Sequence, residues 1–272
     1  MKKAIIPFDG GNFSKGAFDF ALGIHQEEPI LLTGIFLPKV DYARIFFFPT
    51  AFAAPAYVPM GEDFDEETME KNIEVFKNSC QKNGIEYRVH KDLFDSAIQH
   101  LTKESRFADF MIVGSEVFYT TGSSGTIEYL KDALRNTECP VIVVPEKFVF
   151  PKTIILAYDG SESSVYAIKQ FANLFPEFSN WPTILVYAGD EKKAIPDEDL
   201  IEEFGARHFS NLTVSKIDGN NRINFNEWLK DQDSPLLVSG SFSRSGISEL
   251  FNSSFITSTI KDHEVPIFIA HH

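Results

Sequence analysis

Cysteine is nearly absent, since Cys80 and Cys139 are the only two in 272 residues. That excludes a disulfide framework and fits free, buried thiols in a reducing compartment. Long apolar runs are missing as well. The most apolar window, Ile45 to Met60, is broken by Pro49, Pro55 and Pro59 and falls short of the about 20 residues a spanning helix needs. After Met1-Lys2-Lys3 the apolar run Ala4 to Phe8 stops at Asp9, too soon for an export signal. The expectation is a cytoplasmic protein without a membrane partner. Positive charge is in deficit, with 25 Lys and Arg against 39 Asp and Glu, a net charge of −14 and a pI of about 4.9. Such a field repels phosphate backbones and excludes nucleic acid as a partner.

Several chemical signatures are lacking too. There is no Walker loop and no Gly-x-Gly-x-x-Gly fingerprint. No element carries a metal-spaced histidine pair, and His271-His272 reads as a frayed tail. Asp218-Gly-Asn220-Asn-Arg222 starts at calcium-loop spacing, but Arg222 and Ile223 stand where a ligand and a glycine are needed. No Ser/His/Asp or Cys/His set can be assembled, so neither a catalytic centre nor a metal site is expected. What is abundant is phenylalanine, 27 residues of it, within a hydrophobic content of 43% that suffices for sizeable cores.

The chain uses one unit twice. Lys3-Ala-Ile-Ile-Pro-Phe-Asp9-Gly10, leading to Ser14 and Ala17, recurs as Thr153-Ile-Ile-Leu-Ala-Tyr-Asp159-Gly160, leading to Ser164 and Ala167, an offset of 150. Val113-Gly114-Ser115 matches Ser239-Gly240-Ser241, and Pro140-Val-Ile-Val-Val matches Pro266-Ile-Phe-Ile-Ala, both at an offset of 126. The fall from 150 to 126 gives the first copy 24 extra residues, placed near 38–62, a proline- and aromatic-rich stretch that includes Phe46, Phe47, Phe48, Phe52 and Tyr57. It reads either as an ordered loop packed on its own lobe or as a lid or a patch for a protein partner.

Within each copy, short apolar strands alternate with amphipathic helices, the pattern of a doubly wound parallel α/β sheet. Strands are expected near 3–8, 29–36, 85–90, 109–114 and 140–145, and again near 152–158, 182–188, 211–217, 235–240 and 265–270. The expected domains are 1–146 and 152–272, joined by the partly apolar Glu146-Lys-Phe-Val-Phe-Pro151, short enough that the two should pack together.

In this order and with this duplication, four motifs resemble the universal stress protein family in its tandem form. They are the strand ending in Asp-Gly before a Ser-containing helix start, Ala108-Asp-Phe-Met-Ile-Val-Gly-Ser115, the loop from Gly240 to Ser254, and Cys139-Pro-Val-Ile-Val-Val144. The resemblance implies two five-stranded domains of the adenine-nucleotide alpha hydrolase-like fold. It also implies that they pack as a pseudo-dimer through Val141–Val144 and Ile267–Ala270, and leaves a homodimer of such units open.

Nucleotide-binding members carry Gly-x2-Gly-x9-Gly-Ser/Thr after the fourth strand, where glycines admit the phosphates and the final hydroxyl donates. In the second domain that spacing falls on Gly240, Ser243, Ser253 and Ser254, with Gly246 inside the loop, and serines replace two glycines. In the first, Gly114 is followed by Val117 and by Ile127-Glu128, and Gly125-Thr126 offers a shifted pair. The family's strand-one acid, near the adenine, corresponds to Asp9 and to Asp159, the latter followed by Gly160. The implied ligand is ATP with Mg²⁺, held better in the second domain. Both acids also suit capping of the following helix. Asp9-Gly-Gly-Asn-Phe-Ser14 faintly echoes the phosphate loop of ATP pyrophosphatases, but its leading acid would repel pyrophosphate. The function read here is binding without catalysis, and the alternative is a ligand-free scaffold that recruits a partner through 38–62.

Overall fold

The computed structural model describes residues 1–9, 11–37, 66–91, 97–115, 137–189, 194–218, 222–240 and 265–270. The aromatic stretch at 38–62 and the loop 241–254 therefore lie outside the described residues. The first half runs β1 (Lys2–Asp9), α1 (Lys15–Glu27), β2 (Ile30–Leu37), α2 (Glu66–Lys82), β3 (Glu86–Lys91), α3 (Ala97–Ser105), β4 (Phe110–Gly114) and β5 (Val141–Val144). The second runs β6 (Thr153–Tyr158), α4 (Glu162–Leu174), β7 (Thr183–Gly189), α5 (Glu198–His208), β8 (Leu212–Asp218), α6 (Arg222–Lys230), β9 (Pro235–Gly240) and β10 (Ile267–Ala270).

Local chemistry explains these elements. Central strands such as β4 and β9 are buried along their whole length and read as continuous apolar runs, because helices cover both faces of a parallel sheet. In α2, Met69, Ile73, Phe76 and Cys80 form a buried stripe at helical spacing among charged residues. Ser14 and Ser161 cap α1 and α4, each hydroxyl accepting from the backbone N–H three residues on.

Among the described residues all strands join one ten-stranded sheet in the order β3-β2-β1-β4-β5-β10-β9-β6-β7-β8. Each half is parallel with the order 3-2-1-4-5, and the halves meet where β5 and β10 pair antiparallel, with Val143 opposite Ile267, Ile142 opposite Phe268 and Val141 opposite Ile269. This is the pairing expected of the two last strands. It removes two edges whose unpaired N–H and C=O groups would otherwise be buried or exposed to aggregation.

One apolar layer runs unbroken across that seam, with Phe110 of the first half against Phe175 of the second at 5.1 Å, and Phe268 against Phe171 at 5.3 Å. The connecting segment joins this layer. The Phe150 ring lies on Gly23, where a Cβ would come within 2.1 Å of it, and packs against Phe20 at 5.4 Å and Trp181 at 6.1 Å. Lys2 adds a polar clamp, donating to Glu28 of its own half and, at 2.7 Å, to Glu177 of the other. The hydrogen bond from Lys2 holds the Glu28 carboxyl below its ordinary value, whereas burial pushes that of Glu177 up against the same lysine. No helix of the described residues is long and apolar enough to cross a membrane.

Two outcomes follow from this packing. Phe175→Ala removes a buried ring shared by both halves and should cost about 3–5 kcal/mol in urea denaturation; a cost under about 1 kcal/mol would contradict the shared layer. The thiols of Cys80 and Cys139 are both pushed up to about 12, chiefly by burial. Native protein should therefore resist thiol reagents, and unfolding should expose both. Because the unfolded thiols ionise near the ordinary value of about 8.5 while the folded ones stay protonated, stability should fall as pH rises above it. Rapid labelling of native protein would oppose this.

Candidate functional site

In each half the chain leaves the first strand toward one edge and the fourth toward the other. The crevice beyond the carboxyl ends of those adjacent strands is where such sheets bind ligands. The pairs are β1 with β4 and β6 with β9. Of the residues singled out in the sequence, Asp9 and Gly114 end β1 and β4, Asp159-Gly160 directly follows β6, and Gly240 ends β9. Four strand ends thus bring the sequence candidates to two equivalent places. Gly125, Thr126, Ser243, Gly246, Ser253 and Ser254 lie outside the described residues.

At the second crevice the turn is tight. Gly160 has φ +82°, in the left-handed region where a side chain is strained, and an added Cβ would sit 2.7 Å from Pro196 Cβ. Asp159 is exposed and its Oδ1 accepts from Ser161 N–H at 2.8 Å, so it shapes the turn, while Ser161 is the residue that caps α4. Ser164 donates its hydroxyl to Ser161 O at 2.8 Å and secures the first helical turn. Packing alone requires a glycine at position 240. A Cβ there would lie 2.4 Å from both the carbonyl carbon and oxygen of Ser163, so the bare glycine lets β9 touch the start of α4.

Three further residues border this place without having been singled out. The Tyr158 hydroxyl donates to Pro196 O at 2.7 Å, and burial first, then the charges of Asp197 and Asp159, push its pKa up. Asp197 holds a left-handed φ of 48° as it opens α5. The Pro196-Asp197 pair is not among the sequence candidates. Nothing local in the sequence placed it over Gly160.

The first half differs. Ser14 caps α1, and the Glu146 carboxylate, just past β5, accepts from Ser14 Oγ at 3.3 Å and from the backbone N–H groups of Lys15 and Gly16 at 3.1 Å each. Gly16 permits the approach, since its Cβ would lie 2.3 Å from Pro145 O. A carboxylate of the chain itself therefore fills the positive end of α1. The cap positions also correct the sequence alignment. Ser14 corresponds to Ser161, an offset of 147, rather than to Ser164 at 150, because the first copy spends three more residues between its strand acid and its cap. Within that longer turn Phe13 stacks on Phe8 at 5.0 Å, which anchors it.

Glu146→Ala should cost about 0.5–2 kcal/mol in urea denaturation, the range for a lost helix cap, with Glu146→Gln costing less. Equal stability of Glu146→Ala and the wild type would show that the contact contributes nothing.

By sequence, no family model and no curated protein matches the chain. By structure, it is similar to a universal stress protein from Archaeoglobus fulgidus DSM 4304, at TM-score 0.69 and 17% identity over 100% of this chain and 96% of that one. It is also similar to a functionally unknown protein from Pseudomonas aeruginosa PAO1, at TM-score 0.55 and 10% identity over 100% of this chain and 92% of the other. Both likenesses cover the whole of this chain, and the chain thus has the α/β fold seen in a universal stress protein structure.

Proposed function

We propose that this chain is a tandem universal stress protein that works by binding, without catalysis, and that its second half takes ATP with Mg²⁺. The observation that carries this reading is the inequality of the two crevices. The first half neutralises the start of α1 with Glu146, whereas at the second the exposed Asp159 carboxylate stands beside the β9–α4 contact. Asp159 can accept from the adenine amine. Gly160 leaves room for Pro196 and Gly240 for the backbone of Ser163, so neither adds a side chain of its own at the crevice. Ser243, Gly246, Ser253 and Ser254 would face the phosphates through hydroxyls and backbone N–H groups. Asp9, Gly114, Gly125 and Thr126 make the weaker counterpart.

Calorimetric titration of the full chain with Mg-ATP tests this. Micromolar binding is expected, and paired substitution Ser253→Asp and Ser254→Asp should weaken it at least about tenfold by setting carboxylates against the phosphates. Gly240→Asp is unsuitable as the only variant, since any Cβ there collides with the start of α4. No heat at millimolar ATP would overturn the reading.

A further inference from the structure

We propose that His90, His100 and Glu104 form a site for one divalent ion of the zinc class on the outer edge of the first half. His90 lies on β3, the edge strand of the sheet, and His100 and Glu104 lie on α3, which follows it. Their i, i+4 spacing puts the last two on one helix face, and Glu104 on that face meets His90 of the strand. His90 Nδ1 is 2.8 Å from Glu104 Oε1, and His100 Nε2 is 3.4 Å from the same oxygen. One ligand atom from each residue lies within 4.8 Å of the other two. Tetrahedral zinc with bonds of about 2.0–2.2 Å separates its ligand atoms by about 3.3 Å, so side-chain shifts of about 1 Å or less close the set on an ion.

The donor chemistry favours the same class. Two imidazoles and a carboxylate suit zinc, whereas calcium and magnesium prefer oxygen alone. The ion would take the place of the proton that His90 and Glu104 now share. Lys3 Nζ approaches the other carboxylate oxygen, Glu104 Oε2, at 3.5 Å, which leaves Oε1 turned to the histidines. All three ligands are half-buried, sheltered but reachable. Three protein ligands leave a fourth position for water. An ion held here would clip α3 to β3. The sequence signal was His100-x3-Glu104; its third member comes from a neighbouring strand, which a search for histidine pairs within one element does not find.

Titrating the purified full chain with cobalt(II), then displacing it with zinc, tests the site. A single equivalent should bind with the visible absorption of a four-coordinate ion, and zinc should displace it. His90→Ala and His100→Ala should each weaken binding at least about tenfold. Glu104→Gln, which keeps the side-chain shape, should weaken it as well, and this guards against a folding defect in the alanine variants. The paired His271→Ala, His272→Ala variant should bind as the wild type does. Binding that survives His90→Ala and His100→Ala, binding lost in the tail variant, or no binding at millimolar cobalt(II) would each overturn the proposal.

Discussion

The antiparallel pairing of β5 with β10 is the contact on which the rest of the molecule depends. Each half is a five-stranded parallel sheet whose last strand has one neighbour of its own, and an apolar strand such as Val141–Val144 cannot stay as an open edge. Joining the two last strands satisfies both ladders at once and makes one continuous apolar layer on each face. Part of the aromatic excess lies there. Phe110 of the first half meets Phe175 of the second across the seam, with Phe171 and Phe268 beside Phe175, Phe148 and Phe150 fold the connecting segment into the same layer, and Lys2 spans both halves. With the halves fused in one chain, no symmetry obliges them to stay alike.

They have diverged at the carboxyl edge. Both halves start a helix beside the end of their first strand, and both must satisfy its leading N–H groups. The first does so with the Ser14 cap and, in addition, with Glu146, a carboxylate delivered by the turn after β5. At the second, Ser161 caps the helix, Asp159 shapes the turn and a glycine lets β9 touch the helix start. A helix terminus already holding an internal anion is poor ground for an external one. The proposed nucleotide site therefore falls to the second half, and the first is left to structure and, through His90, His100 and Glu104, to a metal ion.

Much of this was legible in the sequence. The strand spans agree with the structure to within two residues, because buried parallel strands read as short apolar runs between amphipathic segments. The family resemblance implied the last strands as partners, and β5 does pair with β10. What could not be read was anything set by distance in space. The Glu146 carboxylate at the start of α1, Pro196 over Gly160 and the close approach of Gly240 to Ser163 all join residues far apart in the chain. The repeat also misaligned Ser14 with Ser164, since identity of residue type outweighed the three-residue difference in turn length. The aromatic stretch at 38–62 and the serines of 243–254 lie outside the described residues, and their roles rest on the sequence.

Hydrogen–deuterium exchange with and without Mg-ATP tests the inequality of the halves most directly. The account expects slow exchange at 141–144 and 267–270 in both conditions, and ligand protection confined to 158–165 and 236–240, with 13–18 unchanged. Equal protection of both helix starts, or protection at 13–18 alone, would contradict it.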